Sequence, residues 1–102
     1  MDLAIDLTID PPTATLAADG ELDIFSARDA AGSLHEAMAL GCSRIVIDVS
    51  GVSFVDGSAL GVLARLKAVL NADGRTMEFG AVSPQFRRLC SIVRLDDAFD
   101  LA

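Results

Sequence analysis

The sequence predicts an α/β fold, a mixed β-sheet of about four to five strands with helices packed against it. Three observations carry this expectation. Leu3, Ile5, Leu7 and Ile9 alternate with Ala4, Asp6 and Thr8, which is the period of a strand with one buried face. The run Arg44-Ile-Val-Ile-Asp-Val49 has the β-branched density of a buried strand. Leu60, Leu63, Leu66 and Leu70 then fall at helical spacing, so the periodicity changes from strand to helix at Asp56-Gly57-Ser58.

The elements follow in order. Asp10-Pro11-Pro12 stops the first strand, Thr13 to Ala18 reads as a second, and the Pro-containing turn makes an antiparallel pair the simplest arrangement. Asp19-Gly20 then reads as a turn. Ala27, Ala30, Ala31, Leu34 and Met38 form the apolar stripe of a helix that ends near Gly41, with Ser26 as its expected N-cap and Asp29 in its first turn. The strand Arg44 to Val49 leads into a turn of acidic and small residues, and a helix runs from about Gly57 to Ala72. Asp56 caps its start and Asp73-Gly74 closes it. Arg75 to Val82 is the next strand, with Met77, Phe79 and Ala81 alternating. Ser83-Pro84 reads as N-cap and first residue of a third helix, lined by Phe86, Leu89, Cys90 and Val93.

Two strand-helix-strand crossovers in this order make the middle strands parallel. Loops leaving the carboxyl ends of parallel strands share one edge of the sheet, so Gly20 to Asp23 and Gly51 to Ser58 are expected to meet at one rim.

Composition narrows the function. The chain has 102 residues, of which 52% are hydrophobic, enough for one core, so residues 1-102 are read as a single domain. A net charge of −7 argues against a nucleic-acid backbone or an anionic membrane as the main partner. No apolar run approaches the ~20 residues that cross a bilayer, and no basic region precedes an apolar stretch at the start; a soluble, cytoplasmic protein is expected. Cys42 and Cys90 stand without a second Cys or a His at metal-ligand spacing, which fits a reducing compartment and two small core residues.

Catalytic and cofactor motifs are incomplete. Gly57-Ser58-Ala59 fails the G-x-S-x-G pattern because Asp56 occupies the first glycine position, and the single histidine, His35, lies mid-helix on a polar face as a solvated side chain. Asp23 and Asp56 could pair for acid/base work at the rim, but turn carboxylates are first of all helix caps. Gly51 to Gly61 matches neither phosphate-binding glycine motif and has no Lys, so no cofactor is expected. Arg87, Arg88 and Arg94 read as a charge-balancing surface. The hydroxyl of Ser58 remains, either as a helix-initiating residue or as a phosphoacceptor.

Gly20-Glu21-Leu22-Asp23, Ile45-Val-Ile-Asp48, Ser50-Gly-Val-Ser-Phe-Val-Asp56 and Leu60-Gly61-Val62-Leu63 resemble the STAS domain of bacterial anti-sigma factor antagonists, and Ser83-Pro84 before Arg88-Leu89 continues the match along nearly the whole chain. The resemblance implies a single STAS domain, without enzymatic activity of its own, that works by partner switching. The unphosphorylated antagonist binds an anti-sigma factor that is also a serine kinase, which releases a sigma factor; phosphorylation at the start of the second helix breaks the complex and a phosphatase restores it. Carried onto this chain, Asp23 and the turn Asp56, Gly57, Ser58, Ala59 and Leu60 match the partner-facing positions. The family pattern places its acceptor hydroxyl directly after the Asp, where this chain has Gly57, so Ser58 is the expected phosphorylation site. Without phosphate at Ser58, the resemblance implies a constitutive antagonist or a STAS subunit that regulates a transporter ATPase, like those of lipid-transport complexes.

Overall fold

The computed structural model describes residues 3–101. The first strand, β1 (Leu3–Asp10), turns through Pro11-Pro12 into β2 (Thr13–Leu22), and the two pair antiparallel with Asp10 opposite Thr13. There follow α1 (Ile24–Ala39), β3 (Arg44–Val55), α2 (Gly57–Ala72), β4 (Thr76–Val82) and α3 (Pro84–Ile92). The strands form one four-stranded sheet in the order β1-β2-β3-β4, with β2, β3 and β4 parallel.

Register explains which residues form the core. Leu7, Leu16, Ile47 and Phe79 stand in one row across the sheet, and Ile9, Ala14, Ile45 and Met77 in the next. Both rows lie on the face that the helices cover, and Ala14, Leu16, Ile45, Ile47 and Met77 are fully buried. Ile9, at the margin, is 37% exposed because β1 is an edge strand. The two crossovers step in the same direction along the sheet, which puts α1 and α2 on one side and in contact with each other. The opposite face carries small and polar residues; Thr8, Thr15, Val46 and Glu78 form one of its rows.

The helices seat through their predicted stripes. Leu60, Leu63, Leu66 and Leu70 of α2 are buried, as are Ala27, Ala30, Leu34 and Met38 of α1. Asp73 closes α2 and Gly74 follows it at φ 76°, the left-handed conformation that glycine takes without strain. In α3 Ser83 is the N-cap, Phe86 and Cys90 are buried, and Val93 is the exposed C-cap instead of a core residue. The segment after α3 is tied down at three points. Phe99 is buried against Phe79 at a ring separation of 4.7 Å, Arg87 Nη1 donates to the Leu101 carbonyl at 2.8 Å, and Lys67 Nζ lies 3.6 Å from Asp100 while donating to the Met77 carbonyl at 2.6 Å.

Two boundaries differ from the sequence expectation. Asp19-Gly20 is not a turn: β2 continues to Leu22, and the ladder absorbs the glycine by register shifts at Ala17/Asp19 and Gly20/Glu21, with Gly20 at φ 113°. β3 likewise runs to Val55 instead of ending at Val49, so the expected turn from Gly51 shrinks to one residue, Asp56, between strand and helix. Hydrogen bonding to the lengthened β2 keeps Gly51 to Val55 extended.

Candidate functional site

Strands β2 and β3 end side by side. Leu22 is opposite Val55, and the next residue of each segment, Asp23 and Asp56, is the N-cap of a helix. The Asp56 N–H donates to the Leu22 carbonyl at 3.3 Å and ties the junctions together. The rim expected from topology is therefore formed, and Asp23 and the turn that opens α2 belong to it.

Asp23 makes a reciprocal cap. Its Oδ1 accepts from the Ser26 N–H at 2.9 Å and from the Ser26 hydroxyl at 3.0 Å, and the Asp23 N–H donates back to Ser26 Oγ at 2.9 Å. Ser26 is thus the third helical residue of a capping box and not the N-cap that the sequence suggested; the acceptor three residues earlier is a carboxylate that reaches the orphan N–H first. The Ser26 backbone N–H, then its hydroxyl, hold the Asp23 carboxyl below its ordinary 3.8. Asp56 caps α2 more simply, with Oδ1 accepting from the Ala59 N–H at 2.8 Å.

The remaining rim residues divide by exposure. Gly57 and Ser58 are exposed, and a side chain at Gly57 would meet nothing within 4 Å. Ala59 and Leu60 are fully buried, a correction to their expected partner-facing role: helical phase turns both side chains into the core, where they support the turn. Two aromatics that sequence reasoning passed over stand out at the same end: Phe25 in the first turn of α1, 72% exposed, and Phe54, opposite Glu21, 49% exposed. The available signal was phase, since Phe25 falls outside the stripe of Ala27, Ala30 and Leu34. A hollow of about 330 Å³ beside Phe25 is lined also by Leu3, Ile5, Glu21 and Asp23.

Charge around the β2 and β3 junctions is of one sign. Asp19, Glu21, Asp23 and Asp56 lie there, while residues 18–27 and 45–64 contain no Lys or Arg. The Asp19 carboxylate sits directly over Gly51, where a Cβ would lie 1.5 Å from its Oδ1. Close by, Asp48 Oδ1 accepts from the Ser50 N–H at 2.9 Å and hydroxyl at 2.7 Å, and these bonds, the backbone one first, lower its pKa.

Both capping carboxylates are engaged with their own helices. His35 is exposed in the middle of α1 and Cys42 is buried. Burial first, then Asp96, pushes the Cys90 thiol up to about 11, far from a reactive thiolate. Among the described residues no group of three or more His, Cys, Asp or Glu could hold a metal, and no helix is long and apolar enough to cross a membrane.

Fold and rim together define a small α/β domain with two carboxylate-capped helix starts side by side on one sheet edge. The family model described as Mlab, STAS domain matches residues 5–101, and the chain belongs to the STAS family. A STAS-domain containing protein of Pseudomonas aeruginosa strain UCBPP-PA14 is 25% identical over 88 residues, 86% of each chain. Among solved structures, an anti-sigma factor antagonist from Mycobacterium paratuberculosis superimposes with a TM-score of 0.79 at 22% identity, covering 96% of this chain and 83% of that one. SpoIIAA of Bacillus, an anti-sigma factor antagonist in its unphosphorylated form, gives 0.77 at 21% identity over 92% and 84%. At these identities the structural likeness establishes the fold.

Proposed function

We propose that this chain is an anti-sigma factor antagonist whose acidic rim docks a serine-kinase-type anti-sigma factor and so releases a sigma factor for transcription in the cytoplasm. The observation that carries the reading is the meeting of two carboxylate-capped helix starts on one sheet edge, with exposed Ser58 beside Asp56. The anti-sigma factor antagonists among the structural neighbours support it. Phe25 and Phe54 supply the apolar part of the contact, and the carboxylates select a basic surface around it. Affinity purification under several stress conditions should recover an ATPase-fold partner, and Phe25→Lys should lose it. Recovery of no such partner by the wild type overturns the reading.

Ser58, the second residue of α2, is the proposed phosphoacceptor. Phosphate there adds about −1.5 to −2 charge. The helix N-terminus favours that charge by roughly 0.3–1 kcal/mol, and the neighbouring Asp56 opposes it. The net effect on the domain is small, so the switch acts at docking, where a dianion loses its solvation against the partner. ATP and Mg²⁺ come with the kinase, and a phosphatase reverses the step. Incubation with the partner and ATP should add one phosphoryl mass to wild type and none to Ser58→Ala; a gain on both proteins moves the site elsewhere.

A second reading rests on the family description, Mlab, STAS domain, and on Gly57 at the usual acceptor position. In it the chain is a non-phosphorylated STAS subunit that regulates a transporter ATPase. It calls for co-purification with such an ATPase and no change of mass with ATP.

A further inference from the structure

The contact between α1 and α2 leaves a surface of opposite character to the rim. A trough runs between the two helices in two parts, of about 210 and 390 Å³, joined where His35 and Val69 line both. Ala31, Val62, Leu66 and Val69 give it an apolar floor, and Val69 is 54% exposed despite its central position. Arg28 from α1 and Arg65 from α2 stand along its flanks. Among the described residues the ion pairs occupy Arg44, Lys67 and Arg75, and leave Arg28 and Arg65 without a carboxylate. The acidic side chain that lines the trough, Asp73, is paired with Arg75.

We infer that this trough docks an acidic amphipathic helix of a partner protein, a contact separate from the rim described above. Shape favours a helix. The lining residues recur at Arg28, Ala31, His35 and Met38 on α1 and at Val62, Arg65, Leu66 and Val69 on α2, two ridges whose groove accepts the ridge of a third helix. From Arg28 to Met38 the trough extends about 15 Å at the helical rise of 1.5 Å per residue, or roughly three turns of a guest. It is open along its length, whereas a small-molecule site encloses most of its ligand. Charge favours acid: two free guanidiniums bracket an apolar strip, which matches apolar residues at i, i+3, i+4 and i+7 flanked by Glu or Asp. The chain as a whole carries −7, so its long-range field repels an acidic guest. Attraction exists only where the Arg pair is local, and this makes the contact selective for a helix in the right register.

The test is a titration of isotope-labelled protein, followed by amide NMR shifts, with a synthetic peptide of about 18 residues that has Leu at i, i+3, i+4 and i+7 and Glu elsewhere. Expected are saturable shifts at Ala31, His35, Val62 and Val69, none with a scrambled peptide of the same composition, and about a tenfold or greater loss of affinity in the Arg28→Glu/Arg65→Glu double variant. That variant should instead bind the peptide with Lys in place of Glu. Arg65→Gln, a milder change, should give an intermediate loss. The inference is overturned if the trough amides do not move, if the scrambled peptide binds equally, or if charge reversal has no effect. Shifts at these residues with phosphatidylglycerol vesicles and none with the peptide would assign the trough to lipid and also overturn it.

Discussion

Asp23 shows how much one side chain contributes at the rim. Its carboxylate is stabilised in the folded state by Ser26, so the folded pKa lies below the unfolded 3.8. Between those two values the unfolded chain binds more protons, and stability therefore rises with pH through that window. The contribution is complete above the unfolded value and is lost as pH falls through the folded one. Asn keeps the cap acceptor without the charge, so Asp23→Asn should melt a little below wild type near neutrality, show a shallower decline in acid and converge on wild type below about pH 4. Thermal melts across pH 2 to 7 read this directly, and equal acid slopes in the two proteins would remove Asp23 from the account. At Gly51 the matter is one of space. A methyl group there meets only the tip of the Asp19 side chain, which is exposed and can swing aside, so Gly51→Ala should cost less than about 1 kcal/mol. Asp19→Ala should therefore couple only weakly with Gly51→Ala, which urea unfolding of the four proteins measures; a coupling above about 1 kcal/mol would show that the Asp19 carboxylate is held in place over Gly51.

Among the elements, α3 and the segment after it depend on one aromatic cluster. Phe79 and Phe86 have ring centroids 5.4 Å apart, and Phe99 completes the group from beyond the helix. Phe99→Ala should destabilise the domain by about 3–5 kcal/mol, measured by urea unfolding, and should release the contacts of Lys67 and Arg87 with that segment. Periodicity made most elements readable: the leucines of α2 and the alternation of β1 each name a buried face without ambiguity. The tail could not be read that way, because Phe99 is placed by a long-range contact and leaves no period behind. Asp19-Gly20 reads as a turn because those residue types usually end a strand, and only the neighbouring ladder turns them into a bulge. Ser26 reads as a cap because hydroxyls favour that position; a serine at the third helical residue is an unusual partner for a capping box, which normally has Glu or Gln there.

For the whole molecule, β2, β3 and β4 succeed one another in one direction, and this places the helices on one face and three capped junctions, at Asp23, Asp56 and Ser83, on one edge. The rim was therefore legible from element order alone. Its exposed aromatics were not, since exposure of an apolar residue depends on helical phase against a core that periodicity locates only approximately. The core is continuous from β1 to Phe99, so the domain should unfold as one cooperative unit. Far-ultraviolet circular dichroism and the NMR signals of Phe99 should then lose intensity at the same urea concentration, and an earlier loss at Phe99 would show that the last segment detaches first. The two faces described above also differ in sign, acidic at the β2 and β3 junctions and basic along the trough.

Gly57 has a consequence for descent. A serine placed there would meet open space and an ordinary backbone conformation, so the fold raises no obstacle to it. Glycine and serine codons of the GGY and AGY types differ by a single base. A gene with a GGY codon at position 57 stands one point mutation from placing a hydroxyl directly after the capping aspartate. A hydroxyl at the start of α2 can in this way be gained or lost while the scaffold that carries it stays the same.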